Sequence, residues 1–217
     1  MTIDTDDLLN SIVQTFGRMK YITPDEIPDI DLYMDQVTTF MDEHLKSSTR
    51  IQTDEKLMTK TMINNYAKND VIPPPVKKKY TKEHVLTLIV VYYFKSILQI
   101  NDIKDLIKPI TDKFFGSGCD FAIEDIYNEI FSDKKEQLDK ILEDVKSEYA
   151  DSLTKFNDAP EDDREYLKLF SFVCALGCDV FVKKLLIEKI VDSLRTHKAE
   201  NGKKENKYDM MPDKAKK

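Results

Sequence analysis

Apolar residues recur at helical spacing along most of this chain. Leu8, Leu9, Ile12, Val13 and Phe16 share one face and predict a short amphipathic helix within residues 1–20, followed by a linker over Tyr21 to Pro28. Leu32, Met34, Val37, Phe40, Met41 and Leu45 predict a second helix over Asp29 to Lys46, opened by Asp29-Ile30-Asp31. A polar helix runs from Thr59 to about Asn69 and stops at Asp70-Val-Ile-Pro-Pro-Pro75, because proline cannot continue a helix and pushes its predecessor into extended geometry. Thr81 opens another. Its continuation Val85 to Phe94 is β-branched and suits a strand by propensity, yet its length and the cap Thr81-Lys-Glu83 favour a helix. Asn101-Asp-Ile-Lys-Asp caps the next, which is expected to end near Lys108-Pro109.

Phe115-Gly-Ser-Gly-Cys-Asp120 is the one glycine cluster and reads as a hinge. It lacks the spacing and the lysine of a phosphate loop. Asp120 to Phe156 predicts one or two helices whose outer faces carry Asp139, Glu143, Asp144, Glu148 and Asp151 as a solvated surface. Asp158-Ala-Pro-Glu-Asp-Asp163 then opens a long helix with a capping aspartate, a first-turn proline and acids that match the helix dipole. From Tyr166 to Leu194 its apolar stripe is too broad for one contact, so burial is expected either against the 120–156 helices or in a homodimer interface through residues 160–195. The Lys- and Asn-rich tail after Thr196 is expected to be disordered. Four blocks follow: an N-terminal helix and linker (1–27), a domain of helices around a turn and a short basic ribbon (28–115), a helical C-terminal block (116–195) and the tail (196–217).

Composition narrows the classes. The chain has 217 residues, 41% hydrophobic and 34% charged, with five glycines and no tryptophan, which favours helices over a turn-dense sandwich. Its acidic start lacks a signal peptide's basic and apolar regions, and the apolar run Leu169 to Val182 is too short and polar to span a bilayer, so a cytoplasmic protein without membrane contact is expected, with that run buried. Three cysteines agree with a reducing compartment. Cys174 and Cys178, four apart on a helix, make a poor disulfide and are expected to be buried thiols, while Cys119, His44, His84 and His197 show no metal-ligand spacing. No cofactor is expected, and His84 is read as packing at the surface or core edge. No nucleophile, base and oxyanion constellation can be named, which leaves enzyme activity the least supported class.

Charge singles out one segment. The formal net charge is −7, but residues 56–95 hold eight lysines (56, 60, 68, 77, 78, 79, 82 and 95) against Asp70 and Glu83, a balance of +6 that leaves −13 for the rest. Such asymmetry suits an acidic protein with one anion-binding face. Within the segment, Lys60, Asn64, Asn65 and Lys68 on the polar helix are side chains able to bond phosphates and base edges, and Lys77, Lys78 and Lys79 follow the prolines as a cationic wing. Tyr66 and Tyr80 are placed to pack wing against helix.

The order Asn65-Tyr66-x-Lys68-x-x-x-Ile72-Pro-Pro-Pro75, then Lys78-x-Tyr80-Thr81-x-Glu83-His84, resembles the MerR-type DNA-binding module. In that family the recognition helix ends in a tyrosine, a leucine-proline turn follows, and the wing closes on Tyr-Thr. The chain departs from it at Asn64, where the family places arginine, and at Asp70, where it places glycine. Lys78-Lys79-Tyr80 keeps the wing's charge without arginine's planar fork. The connection from Ser47 to Met58 is also far longer than the usual three or four residues. Ile27 to Leu45, together with the segments around Tyr66 and Tyr80, also resembles an uncharacterised bacterial family known as domain of unknown function 1836.

These readings imply an all-α fold with a MerR-like winged helix-turn-helix, a small β wing and a helical C-terminal block. The expected function is that of a DNA-binding transcriptional regulator contacting double-stranded DNA. The alternative is a non-catalytic scaffold offering the same basic surface to an acidic protein partner.

Overall fold

The computed structural model describes residues 11, 13, 21–46, 56–118, 120–132 and 134–209. The amphipathic helix expected within residues 1–20 therefore lies outside the described residues apart from Ser11 and Val13. The architecture is all-α with one small ribbon. After a 3-10 turn (Pro24–Glu26) come β1 (Leu32–Tyr33), α1 (Met34–Leu45), α2 (Lys60–Lys68), β2 (Lys79–Tyr80), α3 (Lys82–Phe94), α4 (Ile100–Phe114), α5 (Ile123–Phe131), α6 (Lys134–Leu153) and α7 (Glu161–Asp209). Among the described residues, no helix is long and apolar enough to cross a membrane.

α3 is the axis of the core. Seven of its thirteen residues, His84 to Ile89 and Val91, are buried, so the helix is covered nearly all round. Its β-branched run forms a helix because burial on every side outweighs propensity. The core around it takes Val37, Phe40, Met41 and Leu45 from α1, Ile63 and Tyr66 from α2, Ile103 and Ile107 from α4, and Ile123 and Tyr127 from α5.

Four boundaries differ from the sequence reading, each for a non-local reason. The first helix starts at Met34 and not at Asp29, since the backbone of Leu32 and Tyr33 is taken by antiparallel pairing with Tyr80 and Lys79. Gln36 then caps the helix, accepting the Tyr33 N–H at 2.9 Å. Tyr21 to Pro28 is not a free linker. Ile22 and Ile27 are buried, and the Tyr127 hydroxyl donates to the Ile22 carbonyl at 2.8 Å. α4 runs through Pro109 to Phe114, although an interior proline costs about 3 kcal/mol; Ile107 and Thr111, buried on either side of it, hold the helix together. Finally, the glycine cluster does not divide the core. The Gly116 N–H donates to Glu83 at 2.9 Å, Gly116 and Gly118 take positive φ, and α5 beyond them packs on α3.

The helices after Phe131 form an antiparallel pair. Tyr149 on α6 meets Phe172 on α7 edge-on at 5.3 Å. α7 reaches the core only in its C-terminal half, where Val191 is buried and Arg195 donates to Asp105 at 2.5 Å and Asp102 at 2.7 Å on α4. It continues past Thr196 to Asp209, so the tail expected to be disordered is helical over those residues, and 210–217 lie outside the description. The run Leu169 to Val182 is buried only at Phe172, against the expectation that it would be buried throughout, and Cys174 and Cys178 are free, exposed thiols on a face that no described element covers. Cys119 is outside the described residues.

Candidate nucleic-acid interface

Helix α2 is short and punctuated at both ends. Thr59 caps it, its hydroxyl accepting the Met62 N–H at 3.2 Å. At the other end Asn69 is the C-cap and Asp70 follows at φ +54°, so the Asp70 N–H reaches the Ala67 carbonyl (3.3 Å) and the Val71 N–H the Tyr66 carbonyl (2.9 Å). That pair of bonds is a Schellman closure, which ordinarily uses glycine at the left-handed position. Asp70 thus adopts glycine's conformation where the sequence resemblance expects glycine, and Lys104 pairs with it at 3.4 Å.

With Ile63 and Tyr66 buried, the helix presents Thr61, Asn64, Asn65 and Lys68 outward. Positions i, i+3, i+4 and i+7 lie on one face, so an amide pair, a hydroxyl and a cation form a single polar stripe. Thr61 is absent from the sequence-derived set, although the same helical phase that turns Asn64, Asn65 and Lys68 outward includes it.

The wing is a two-residue hairpin. Val76 and Lys79 exchange both backbone hydrogen bonds (3.2 and 3.0 Å), and between them Lys77 and Lys78 stand at φ +51° and +65°. Positive φ at both central residues marks the hairpin turn that normally takes Asn-Gly. Each lysine there costs roughly 1–2 kcal/mol in backbone strain. The turn therefore holds two adjacent cations at its tip, both exposed.

Two neighbouring residues join wing to helix. Lys79 Nζ sits 5.5 Å over the Tyr33 ring, and Lys60 forms an ion pair with Asp35, two residues on from Tyr33. Lys60 and Lys79 consequently stand at the same edge. Tyr33 and Asp35 carry no sequence signal for this role, because their partners are fixed only when β1 pairs with β2. The supporting tyrosines are internal: Tyr80 is 1% exposed and Tyr66 8%, and burial pushes both phenols above their ordinary pKa.

The lysine-rich segment is not uniformly displayed. Lys56 donates to Thr38 at 2.8 Å, Lys82 pairs with Glu124 at 2.9 Å, and Lys95 donates to the Leu57 carbonyl at 2.6 Å, where burial lowers its pKa. Those three hold the fold. Lys68, Lys77 and Lys78 have no ion pair among the described residues, and with Lys60 and Lys79 they make up the basic surface.

His84 lies behind the wing and is buried, not at the surface or core edge as the sequence suggests. Its Nδ1 accepts the Thr81 N–H at 3.0 Å, taking the third-residue place of a capping box, and its ring meets Tyr80 and Phe115 edge-on. Burial lowers its pKa, opposed by the Pro74 and Pro73 carbonyls and by Asp31. A lowered folded pKa means the unfolded chain takes a proton first as pH falls through about 6.5, so folding stability is full above that value and declines below it. The expected loss is at most about 1.4 kcal/mol per pH unit until the folded value is reached. Urea unfolding at pH 7.5 and 5.5 checks this. His84→Gln keeps the cap acceptor and should flatten the difference; an equal pH slope in both proteins would exclude His84 as its source.

No curated protein and no solved structure matches this chain. The family model described as Domain of unknown function (DUF1836) matches residues 5–130, which take in the ribbon, α1 to α4 and nearly all of α5. The match covers more than half of the chain and ends where the core ends, and the chain belongs to that family.

Proposed function

We propose that this protein binds duplex DNA as a transcriptional regulator, inserting α2 in the major groove and laying the Lys77–Lys79 hairpin on the flanking phosphates, in the manner of a MerR-like winged helix. One observation carries the reading: Thr61, Asn64, Asn65 and Lys68 share the exposed face of a capped helix whose edge adjoins a strained, doubly cationic turn. Asparagine offers the donor and acceptor that match adenine's major-groove edge, while lysines anchor by charge alone. Lys60 joins the anchors, because its exposed pair with Asp35 is worth little in water and a phosphate can replace it. Tyr80 anchors the wing through its pairing with Leu32 and its ring against His84, while the buried Tyr66 anchors α2.

Two measurements test it. Fluorescence anisotropy with a random duplex at low salt should show binding at micromolar protein, and selection from a random pool should return a sequence motif. Asn64→Ala or Asn65→Ala should relax that motif, each good amide–adenine pair being worth about 1–3 kcal/mol of discrimination. No binding at tens of micromolar would overturn the reading and leave the basic surface to an acidic protein; binding without a motif would remove the regulatory part.

A further inference from the structure

α7 is covered along only part of its surface. Its N-terminal half turns Phe172 and Leu176 towards α6, and its C-terminal half lays Ile187, Val191 and Arg195 on the core and α4. Positions 166, 170, 173, 177, 180, 184, 187 and 191 step alternately by four and three, the spacing of a helix-packing seam. The seam is covered at its C-terminal end, where Ile187 is half-buried and Val191 buried. Its N-terminal end is bare: Tyr166 is 69% exposed, Phe170, Val173 and Val180 more than half, and Phe181 beside them 64%.

From these observations we infer that a second copy of this chain packs antiparallel on that bare seam, crossing near residue 175. Five such side chains present roughly 100 Å² each, so about 500 Å² of contiguous apolar surface stands open before any polar rim is added. A standard interface buries ~800 Å² per partner, so this apolar patch alone supplies more than half of one. Charge selects the orientation. Residues 161–168 carry Glu161, Asp162, Asp163 and Glu165 against Arg164 and Lys168, a balance of −2, while residues 183–189 carry Lys183, Lys184 and Lys189 against Glu188, a balance of +2. A parallel pair sets like against like; the antiparallel crossing places Glu161 opposite Lys189, Tyr166 opposite Lys184, and Phe170 opposite Val180.

Gly177 fits the same geometry. A glycine weakens a helix interior, and a Cβ added here would meet nothing within 4 Å in its own chain. Its bareness gives the partner's Val173, the residue opposite, room to approach.

Sedimentation velocity on the full chain from 1 to 100 μM provides the test, independently of any DNA measurement. The wild type should be a dimer. Phe170→Asp with Phe181→Asp should raise the dimer Kd at least 100-fold while circular dichroism is unchanged, since both rings are exposed in the single chain. Gly177→Ala should weaken the dimer about tenfold despite improving helix propensity. Glu161→Lys should weaken it and added Lys189→Glu should restore it. A wild type that stays monomeric at hundreds of micromolar overturns the inference and leaves the seam to a different protein. A dimer indifferent to the two aspartates overturns the interface, and failed charge restoration overturns the antiparallel register.

Discussion

Replacing Lys77, Lys78 and Lys79 together by alanine should flatten the salt dependence of duplex binding by up to about three units of log K against log salt, near one per lost phosphate contact. Between 50 and 200 mM salt the wild type would then lose roughly 40-fold more affinity than the variant. The comparison is clean because alanine at positive φ is strained much as lysine is, so the turn gains no backbone relief. Lys79 alone has a further contact to lose, its place over Tyr33, worth about 0.5–1 kcal/mol at an exposed site. Anisotropy titrations at four or five salt concentrations give both slopes. Parallel lines would show that the wing touches no phosphate.

A second large effect is expected from Tyr80→Ala, which should cost about 3–5 kcal/mol of folding stability. Tyr80 is the point where the wing enters the core: its backbone pairs with Leu32, its ring meets His84 at 5.4 Å, and almost none of it reaches solvent. Against a usual total of about 5–15 kcal/mol, such a loss is a large share. Tyr80→Phe keeps the ring and should lose no more than about 1.5 kcal/mol. Urea denaturation of the three proteins decides the matter, and equal losses from alanine and phenylalanine would show that the ring's packing is not what matters at this position.

Local signals in the sequence locate most helices well. Thr59, Thr81 and the Ile72–Pro75 stop mark their boundaries because caps and prolines act within four residues of themselves. Non-local pairing is not legible. Nothing in Asp29-Ile-Asp-Leu-Tyr33 announces that Lys79 and Tyr80 will claim its last two residues as a strand. Pro109 reads as a stop and is not one for a related reason, since burial of neighbours on a long amphipathic face can outweigh a break that local rules treat as final. The broad stripe of α7 is legible as excess apolar surface, but which neighbour covers it depends on how far the α4 contact reaches, and that contact stops short of Val180.

The candidate site shows the same division. Helical phase alone puts Asn64, Asn65 and Lys68 outward once Ile63 and Tyr66 are recognised as core. Charge counting is blunter, because a lysine's formal charge does not say where its stem leads. Lys56, Lys82 and Lys95 count equally with Lys77 in a sum, yet each of the three is bonded within the fold. The burial of His84 is hidden from the sequence, since a buried histidine needs a tautomer-specific partner, here the Thr81 N–H, that composition does not reveal.

The lysine pair in the hairpin turn sets folding and recognition against each other at the same two residues. Lys77→Asn with Lys78→Gly would relax the backbone and make the ribbon easier to form, but would remove both cations from the tip. Selection for thermal robustness alone would therefore drift towards the mute turn. A population held under selection for what the tip touches would retain the costly one, so the identity of these two residues across related chains is itself a record of whether the wing is in use.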